Sequence, residues 1–559
     1  MSIIALKQIS SLEKVFLTDC ADDKKEISRI TALKGERISY QIMYTCLTGC
    51  REDSFNSKID AYICIDSPLK EAVSLRLVGN VPSELPVYEE KSDDNYITKK
   101  PGLFPDVLYP LTDSKIEVVP RLYHVLWVTA DIGSQVEAGT YPIEISFVNA
   151  EHDICEKKIF YIEVINAVLP EQEIIYTQWF HADCIASYYN LDIFSQEHWL
   201  MIEKFIEMAS HTGINMILTP IFTPPLDTVV GGERPTVQLV DVFRKEDKYT
   251  FNFDKLIKWI EICKRHEIKY FEMSHLFTQW GAEFTPKIEV DVNGVMKKLF
   301  GWHVKANSPE YKEFLDQFLP ELISVLKIEG IAERTYFHIS DEPHGKKHLE
   351  QYVKAKEMVL KHLKDFKIID ALSDFEFYKN GVVENPIPAN DAIEPFLEAK
   401  IENLWTYYCC MQGKNVSNRF MSMPSYRNRI IAMQLYKYDI KGFLQWGFNF
   451  YYSQYSKYEI NPFLTTDAIN AFPSGDAFSV YPHKNGPVES IRSVVFYEAL
   501  QDLRALKLLE RIIGRKEILR LLEKSIQPIT FSEYPHNIEW LINKREEINF
   551  TIAQNRRSI

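Results

Sequence analysis

The first part of the chain alternates apolar and polar positions in short runs. Examples are YICI at 62–65 and YPIEISF at 141–147, and turns rich in Gly, Pro, Asp and Asn separate such runs. A period of two is typical of strands with one buried face, and many short strands of this kind indicate a two-sheet sandwich. The last run ends at 160–165, shortly before Pro170. We therefore predict an N-terminal β-sandwich domain over residues 1–168.

After Pro170 the pattern changes to short apolar strands that alternate with longer helical stretches. This alternation is typical of parallel β/α units. The predicted strands are 174–180, 216–219, 270–275, 335–340, 368–372, a weak one before Asn390, 404–409 and 443–448. About eight units favour a catalytic (β/α)8 TIM-like barrel over residues 169–510 rather than an open sheet. The Leu-rich remainder, 511–559, is predicted to be a helical extension packed on the barrel.

Composition and charge narrow the range of partners. The 559 residues exceed one ordinary core, and 46% hydrophobic and 25% charged residues are globular values. The formal net charge is −14, with Lys and Arg scattered among acids. Such a surface repels nucleic acid and anionic membranes, so we expect neither as a partner. A neutral or cationic small substrate fits better.

The sequence also bears on the compartment. The N-terminus lacks a basic segment followed by an apolar run and a cleavage site, and no stretch of about eighteen apolar residues occurs. The nine cysteines show no CxxC spacing, as expected for reduced thiols in a reducing compartment. We expect a cytoplasmic protein. A homodimer is compatible with the predicted architecture, although no apolar surface stripe demands dimerisation.

The most informative segment is RTYFHISDEP at 334–343, an apolar strand that ends in Asp341 and Glu342. Catalytic groups of barrels come from the C-terminal ends of strands. Two adjacent strand residues point to opposite faces, so both acids share a cavity only if regular strand geometry ends between them. Pro343 is expected to restrict Glu342 to extended conformations. The alternative is that Ser340 or Asp341 merely caps a helix that begins near Pro343.

Polar and aromatic residues gather at the ends of other predicted strands. Sugar sites need this mixture, because an aromatic face packs on a pyranose ring while polar groups bond its hydroxyls. Each aromatic taken singly is more often a core residue. The candidate substrate-binding residues are Trp179, His181, Asp183, His275, Gln279, Trp405, Tyr407, Tyr408, Trp446 and Asn449.

Several motifs carry a family resemblance. These are NLWTYYCC at 403–410, RNR at 427–429, GFLQWG at 442–447, PSGD at 473–476, YP at 481–482 and SIR at 490–492. They resemble the C-terminal domain family of unknown function numbered 4091. With SDEP at 340–343 and a sandwich in front, the chain resembles glycoside hydrolase family 123. The likeness covers roughly 330–510, and more weakly the strand at 179–184.

The resemblance implies a retaining, exo-acting β-N-acetylgalactosaminidase that uses the substrate's 2-acetamido group as nucleophile. By position, Glu342 would protonate the leaving oxygen and then activate water. Asp341 would orient the acetamide and stabilise the oxazolinium. Tyr407 or Tyr408 would bond the acetamide oxygen, with Trp446 beneath the sugar. No cofactor is implied, and an oligosaccharide or glycoside is the implied substrate.

Other classes stay open. A glycosidase with two enzyme carboxylates would pair Glu342 as acid with Glu272 or Asp370 as nucleophile. A carbohydrate-binding protein without turnover is a further alternative. A metal hydrolase is disfavoured because neither HxH nor HExxH spacing occurs, and His181, His275 and His338 belong to separate strands. Neither a phosphate-binding loop nor a GxSxG elbow is present.

Overall fold

The computed structural model of the chain describes residues 4–47 and 59–555. The N-terminal part consists of two five-stranded sheets, with orders β1-β3-β8-β5-β6 and β2-β10-β9-β4-β7. Its strands are β1 Ile4–Ser10, β2 Arg29–Lys34, β3 Glu36–Cys46, β4 Ile59–Asp66, β5 Val73–Ser83, β6 Gly102–Pro110, β7 Lys115–Val118, β8 His124–Ile132, β9 Gly139–Val148 and β10 Ile154–Val168. The sheets pack face to face, as where Tyr40 of β3 stacks on Phe160 of β10 with ring centroids 3.9 Å apart. The predicted sandwich is confirmed.

The second part is a parallel barrel with inserted strands. Its strands are β11 Ile175–Gln178, β12 Met216–Thr219, β13 Asp241–Lys245, β14 Lys248–Asn252, β15 Tyr270–Met273, β16 Ile288–Val292, β17 Val295–Phe300, β18 Thr335–Phe337, β19 Lys367–Ala371, β20 Asn385–Ile387, β21 Trp405–Tyr407, β22 Gly442–Gln445, β23 Val480–His483 and β24 Gly486–Glu489. Eight of them form the sheet β20-β19-β18-β15-β12-β11-β22-β21. A parallel bridge between Ala389 and Tyr407 joins its two ends. The predicted (β/α)8 barrel is confirmed.

The helices surround the barrel and form the end of the chain. They are α1 Ala182–Tyr189, α2 Gln196–His211, α3 Asp254–Arg265, α4 Pro309–Ile328, α5 Gly345–Leu363, α6 Phe375–Lys379, α7 Glu394–Glu398, α8 Ser425–Arg429, α9 Ile431–Lys437, α10 Ile491–Ile513, α11 Arg515–Leu522 and α12 Ile538–Gln554. None of the helices in the described ranges is long and apolar enough to cross a membrane.

One feature was not predicted, and one predicted strand is short. The strands β13, β14, β16 and β17 form a separate four-stranded sheet, inserted after barrel strands β12 and β15. The sixth barrel strand, β20, has three residues and contains Pro386, which has no N–H to donate. The missing donor explains why the sequence signal for this strand was weak.

The tail contacts both parts of the molecule. On α12, Arg545 bonds Asp502 of α10 at 2.8 Å and Glu36 of the sandwich at 2.7 Å. The tail thus contacts the outer barrel helix α10 and also the sandwich. The domain limits themselves stay predictions.

A sandwich loop between β5 and β6 supports two barrel loops. The Asp467 carboxylate accepts the backbone N–H groups of Glu84 and Leu85 at 3.0 and 2.9 Å. Asp93 pairs with the buried Arg427 at 2.9 Å. These contacts hold in place the barrel segments that follow β21 and β22.

Candidate active site

A cavity of about 210 Å³ lies at the C-terminal ends of the barrel strands, where barrel enzymes carry their chemistry. Its lining residues are Trp179, Leu226, Asp227, Gln279, Trp280, Asp341, Glu342, Ala371, Tyr407, Cys409, Cys410, Leu444, Trp446, Gln454, Tyr455 and Phe472. All of them follow residue 178, so the sandwich acts on this cavity through the loops it supports. The lining combines aromatic rings with carboxylates and contains no Lys, Arg or His.

The backbone turns sharply at the carboxylate pair. Strand β18 ends at Phe337, and Glu342 has a left-handed φ of 42°. The expectation that Pro343 keeps Glu342 extended is therefore wrong. The N–H of Glu342 donates to the Ala371 carbonyl at 3.1 Å, and the Asp341 carbonyl accepts the Trp280 N–H at 2.8 Å. These bonds hold a conformation that costs about 1–3 kcal/mol and brings both carboxylates into one cavity.

Neither Ser340 nor Asp341 caps a helix. Helix α5 begins at Gly345 without a side-chain bond from its N-cap residue. Gly345 N–H instead donates to Asp374 at 3.0 Å. Ser340 is occupied elsewhere, since its hydroxyl donates to the Thr278 carbonyl at 2.9 Å. The capping interpretation of the acids is wrong.

The two carboxylates perturb one another. Burial, and then the charge of Glu342, raise the pKa of Asp341 well above its usual range. Burial also raises the pKa of Glu342, while the hydroxyl of Tyr407, which donates to Glu342 Oε1 at 2.6 Å, opposes the rise. Adjacent carboxyl groups in such a site favour a singly protonated pair. One acid and one anion side by side suit proton transfer combined with charge stabilisation.

Glu272 and Asp370 lie beneath the cavity and bond His338. Both carboxylates are fully buried, and neither belongs to the cavity lining described above. His338 Nε2 is 2.9 Å from Glu272 Oε2, and its Nδ1 is 3.4 Å from Asp370 Oδ1. Asp370 also accepts the Ile339 N–H at 3.0 Å. This burial disfavours Glu272 and Asp370 as nucleophiles toward a sugar.

Four predicted binding residues line the cavity together with the acids: Trp179, Gln279, Tyr407 and Trp446. Two of them are fixed by carboxylates behind the wall. The Trp179 indole N–H donates to Glu272 at 3.3 Å, and the Trp446 indole N–H donates to Asp476 at 2.8 Å. Their rings are therefore oriented before any ligand arrives.

Three predicted residues pack behind the wall around a buried arginine. Arg234 makes two bonds of 2.7 Å to the Asp183 carboxylate and lies 3.1 Å from His181 Nδ1. The side-chain amide of Asn449 accepts the backbone N–H of His181 and donates to the His181 carbonyl. Arg234 also donates to the Leu226 carbonyl at 3.1 Å. The cluster thus clamps the loop that carries cavity residues Leu226 and Asp227.

The remaining three predicted residues also lie outside the lining. His275 stacks on His338 with ring centroids 4.3 Å apart. Trp405 lies in the barrel interior, so close to Gly442 that a Cβ there would be 1.9 Å from its ring. The Tyr408 hydroxyl donates to Asn428 at 3.3 Å, whereas its neighbour Tyr407 reaches the cavity, as the period of two along a strand requires.

Sequence reasoning missed several lining residues, of which Asp227 matters most for the chemistry. Its backbone N–H donates to Gln279 at 2.7 Å, and its carboxylate accepts the Tyr455 N–H at 2.9 Å. Burial raises the pKa of Asp227 to about 6. No motif marked this loop, so the sequence offered no signal beyond the carboxylate itself. Trp280 and Tyr455 complete the mouth, with ring centroids 6.1 Å apart.

The atoms of His275, His338 and Asp370 come close enough together to suit a metal ion. Their bonding favours another interpretation. Both His338 nitrogens face carboxylates, as described above, and Asp370 accepts bonds from Ile339 and from the Tyr352 hydroxyl. In addition, the two imidazole rings are stacked face to face, with 21° between their planes. The lone pair with which an imidazole binds a metal lies in the plane of its ring, so stacked rings do not direct their lone pairs at one point between them. Hydrogen bonds join His338 to Glu272 and join Asp370 to Ile339 and Tyr352, while the two ring nitrogens of His275 have no hydrogen-bond partner among the described residues.

Comparison with known proteins decides the family. The sequence profile of the glycoside hydrolase 123 catalytic domain matches residues 179–509, more than half of the chain. The chain belongs to glycoside hydrolase family 123. It is a glycosidase, and the resemblance to the domain family numbered 4091 stays a prediction. Comparison with curated proteins finds none similar enough to match.

Comparison with solved structures bears on the fold. A family 123 glycoside hydrolase from Clostridium perfringens, described in work on glycolipid glycan hydrolysis, has a TM-score of 0.72 at 15% identity and covers 100% of this chain and 99% of its own. A Parabacteroides merdae β-glucuronidase has a TM-score of 0.30 at 11% identity, covering 90% of this chain and 52% of its own. Of these two, the first supports the shared architecture.

Proposed function

We propose that this glycosidase is a retaining, exo-acting β-N-acetylgalactosaminidase that uses the 2-acetamido group of its substrate as the nucleophile. The observation that carries the proposal is the turn at Glu342, which directs two adjacent carboxylates into one small cavity. In this arrangement one group serves as acid and the other as a charge partner, and no enzyme nucleophile is needed across the ring.

In the first step, the acetamide oxygen attacks the anomeric carbon and the glycosidic bond breaks. Glu342 gives its proton to the departing oxygen, while Asp341 accepts the acetamide N–H and stabilises the positive oxazolinium. In the second step, Glu342 takes a proton from water as the water attacks the anomeric carbon, and the acetamide is released. Two displacements retain the anomeric configuration. Tyr407, on the cavity wall, supports the acetamide oxygen.

The cavity also supports the substrate class. A volume of about 210 Å³ is smaller than the roughly 300–1,000 Å³ of drug-sized pockets, which suits one terminal sugar. Trp179 and Trp446 supply aromatic faces. Because the lining has carboxylates and no cationic side chain, it disfavours uronic acids and sulfated sugars. The Clostridium perfringens relative is associated with hydrolysis of glycolipid glycans, so we propose a terminal sugar of such a glycan as a substrate.

A second candidate rests on Asp227. It is the third carboxylate of the lining and would be the nucleophile of a two-carboxylate retaining glycosidase, which needs the two groups about 5–5.5 Å apart. That enzyme would act on sugars without an acetamido group. Asp227→Asn separates the two mechanisms. It abolishes turnover in the second candidate, and the acetamide-assisted enzyme retains measurable activity.

The main test compares hydrolysis of aryl β-N-acetylgalactosaminide and aryl β-galactoside by the wild type, Asp341→Asn and Glu342→Gln. We expect activity on the acetamido sugar only, reduced about 10²–10⁴-fold by either substitution. With an acidic leaving group such as dinitrophenol, Glu342→Gln should reduce the rate of the first step much less, because the departing phenolate needs no proton. Equal activity of the wild type on both sugars would contradict the proposal.

We also propose that the enzyme acts in the cytoplasm and forms a homodimer. Six cysteines are free thiols, which suits a reducing compartment: Cys20, Cys64, Cys184, Cys263, Cys409 and Cys410. Cell fractionation tests the compartment, and sedimentation of the purified enzyme in an analytical ultracentrifuge tests the dimer.

A further inference from the structure

His338 lies between two carboxylates directly beneath the catalytic pair. The ring and both carboxylates are fully buried. The Nε2 contact with Glu272 is 2.9 Å, and the Nδ1 contact with Asp370 is 3.4 Å, an ion-pair distance. A neutral imidazole has one N–H, so it would turn a lone pair toward one of the carboxylates. Only the imidazolium presents a proton to each.

The surroundings favour the charged form. Burial by itself lowers the pKa of His338, but the bonds and charges of Asp370 and Glu272 raise it to about 9. Glu272 is held by the hydroxyl of Thr177 and the indole of Trp179. On the other face, His275 stacks at 4.3 Å, and burial together with the charge of His338 holds the pKa of His275 well below its usual value. His275 is therefore neutral.

The charges that act on Asp341 are mostly negative. Besides burial, Glu342, Asp370 and Asp227 all raise the pKa of Asp341, and His338 opposes them. No cation in the described part of the chain acts on Glu342 in a comparable way. Its opposing contact is the Tyr407 hydroxyl. A fixed positive charge near one member of a carboxylate pair stabilises the anion at that member.

We propose that His338 is a positioning residue that holds a lasting positive charge beneath Asp341 and thereby directs the proton of the carboxylate pair to Glu342. This deepens the proposed function, in which Glu342 must be the acid and Asp341 the anion. The cluster also orders the strand end, because Asp370 accepts the N–H of Ile339, two residues before Asp341.

Tyr407 makes the bias depend on substrate. In the structure its hydroxyl donates to Glu342 at 2.6 Å and stabilises the Glu342 anion. When the hydroxyl turns to the acetamide oxygen, Glu342 loses the donor that stabilises its anion, and its pKa rises relative to that of Asp341. Binding of an acetamido sugar would thus complete the transfer of the proton to Glu342.

The charge of His338 is measured first, on the wild type, by NMR of enzyme with 15N-labelled histidine rings. We expect both ring nitrogens of His338 to carry a proton at pH 7, and we expect the ring to lose one of these two protons near pH 9. A neutral His338 at pH 7 would overturn the proposal. This measurement requires neither a variant nor a substrate, so it does not depend on the identity of the sugar.

The bias is measured by the pH dependence of kcat with the aryl glycoside that the wild type hydrolyses. We expect His338→Gln to lower kcat at least about tenfold, one pKa unit of lost bias, with KM nearly unchanged and the acidic limb moved to higher pH. His338→Asn removes the same charge with a smaller amide and serves if His338→Gln does not fold.

Tyr352→Phe is the matched control. It removes the hydrogen bond from the Tyr352 hydroxyl to Asp370 without altering a charge. It should therefore lower the stability of the protein and leave both limbs of the pH profile of kcat in place. Equal shifts in Tyr352→Phe and in the His338 variants would reduce His338 to a packing role. If the limbs of the pH profile do not move in the His338 variants, the proposed effect of His338 on the proton is refuted, even if the wild type proves specific for acetamido sugars.

Discussion

Replacing Tyr407 by phenylalanine removes one hydroxyl and keeps the ring in the cavity wall. The hydroxyl donates to Glu342 Oε1 at 2.6 Å, and a hydrogen bond to a charged group contributes about 1.5–3 kcal/mol. At about 1.4 kcal/mol per pKa unit, its loss should raise the pKa of Glu342 by roughly one to two units. The basic limb of kcat/KM, which reports ionisation of the acid in the free enzyme, should then move to higher pH by that amount.

The same substitution removes the proposed donor to the acetamide oxygen. We expect kcat/KM for the aryl β-N-acetylgalactosaminide to fall by about 10²–10³ at its pH optimum, as for loss of one oxyanion donor. The assay is a pH series of initial rates from about pH 4 to pH 9. Tyr408→Phe is the matched control, because its hydroxyl bonds Asn428 behind the wall. A basic limb that stays in place or moves to lower pH in Tyr407→Phe would refute the reasoning.

Three further predictions concern stability. Asp183→Asn breaks the buried pair with Arg234 and should lower the free energy of unfolding by about 3–5 kcal/mol, as a urea titration would show; a loss below about 1 kcal/mol contradicts it. Gly442→Ala places a methyl group 1.9 Å from the Trp405 ring and should cost at least about 1–3 kcal/mol, seen as a lower melting temperature. The pKa of His338 is about 9 in the folded protein and about 6.5 in the unfolded chain, so protonation of this ring stabilises the fold by roughly 3 kcal/mol below pH 6.5. This contribution is lost as the pH rises to 9. Unfolding titrations at several pH values should show the loss in the wild type and not in His338→Gln.

Much of the architecture was readable from local patterns. Each barrel strand is a buried apolar run, and the sandwich strands alternate, so strand positions follow from side-chain periodicity. The sequence signal of the weak strand is blurred by Pro386. The inserted strands β13, β14, β16 and β17 have no counterpart in a minimal barrel, and for this reason they were not predicted. The carboxylate pair was found because a strand that stops in two acids places them at the catalytic end of a barrel.

The arrangement of distant segments selects which of the predicted residues face the cavity. Tyr407 and Tyr408 look equivalent along the chain, and the register of β21 in the barrel turns one inward. His181 and Asp183 look like ligand contacts until Arg234, about fifty residues later, is found buried between them.

Periodicity and local chain direction, both legible in the sequence alone, were enough to establish the order of strands, the barrel behind a sandwich, and the placement of Asp341 and Glu342 at a strand end. The left-handed turn at Glu342, the entry of Asp227 into the cavity and the cation at His338 emerged from the folded molecule. Each of these is held by bonds to segments distant in sequence, and no local pattern encodes which segments meet.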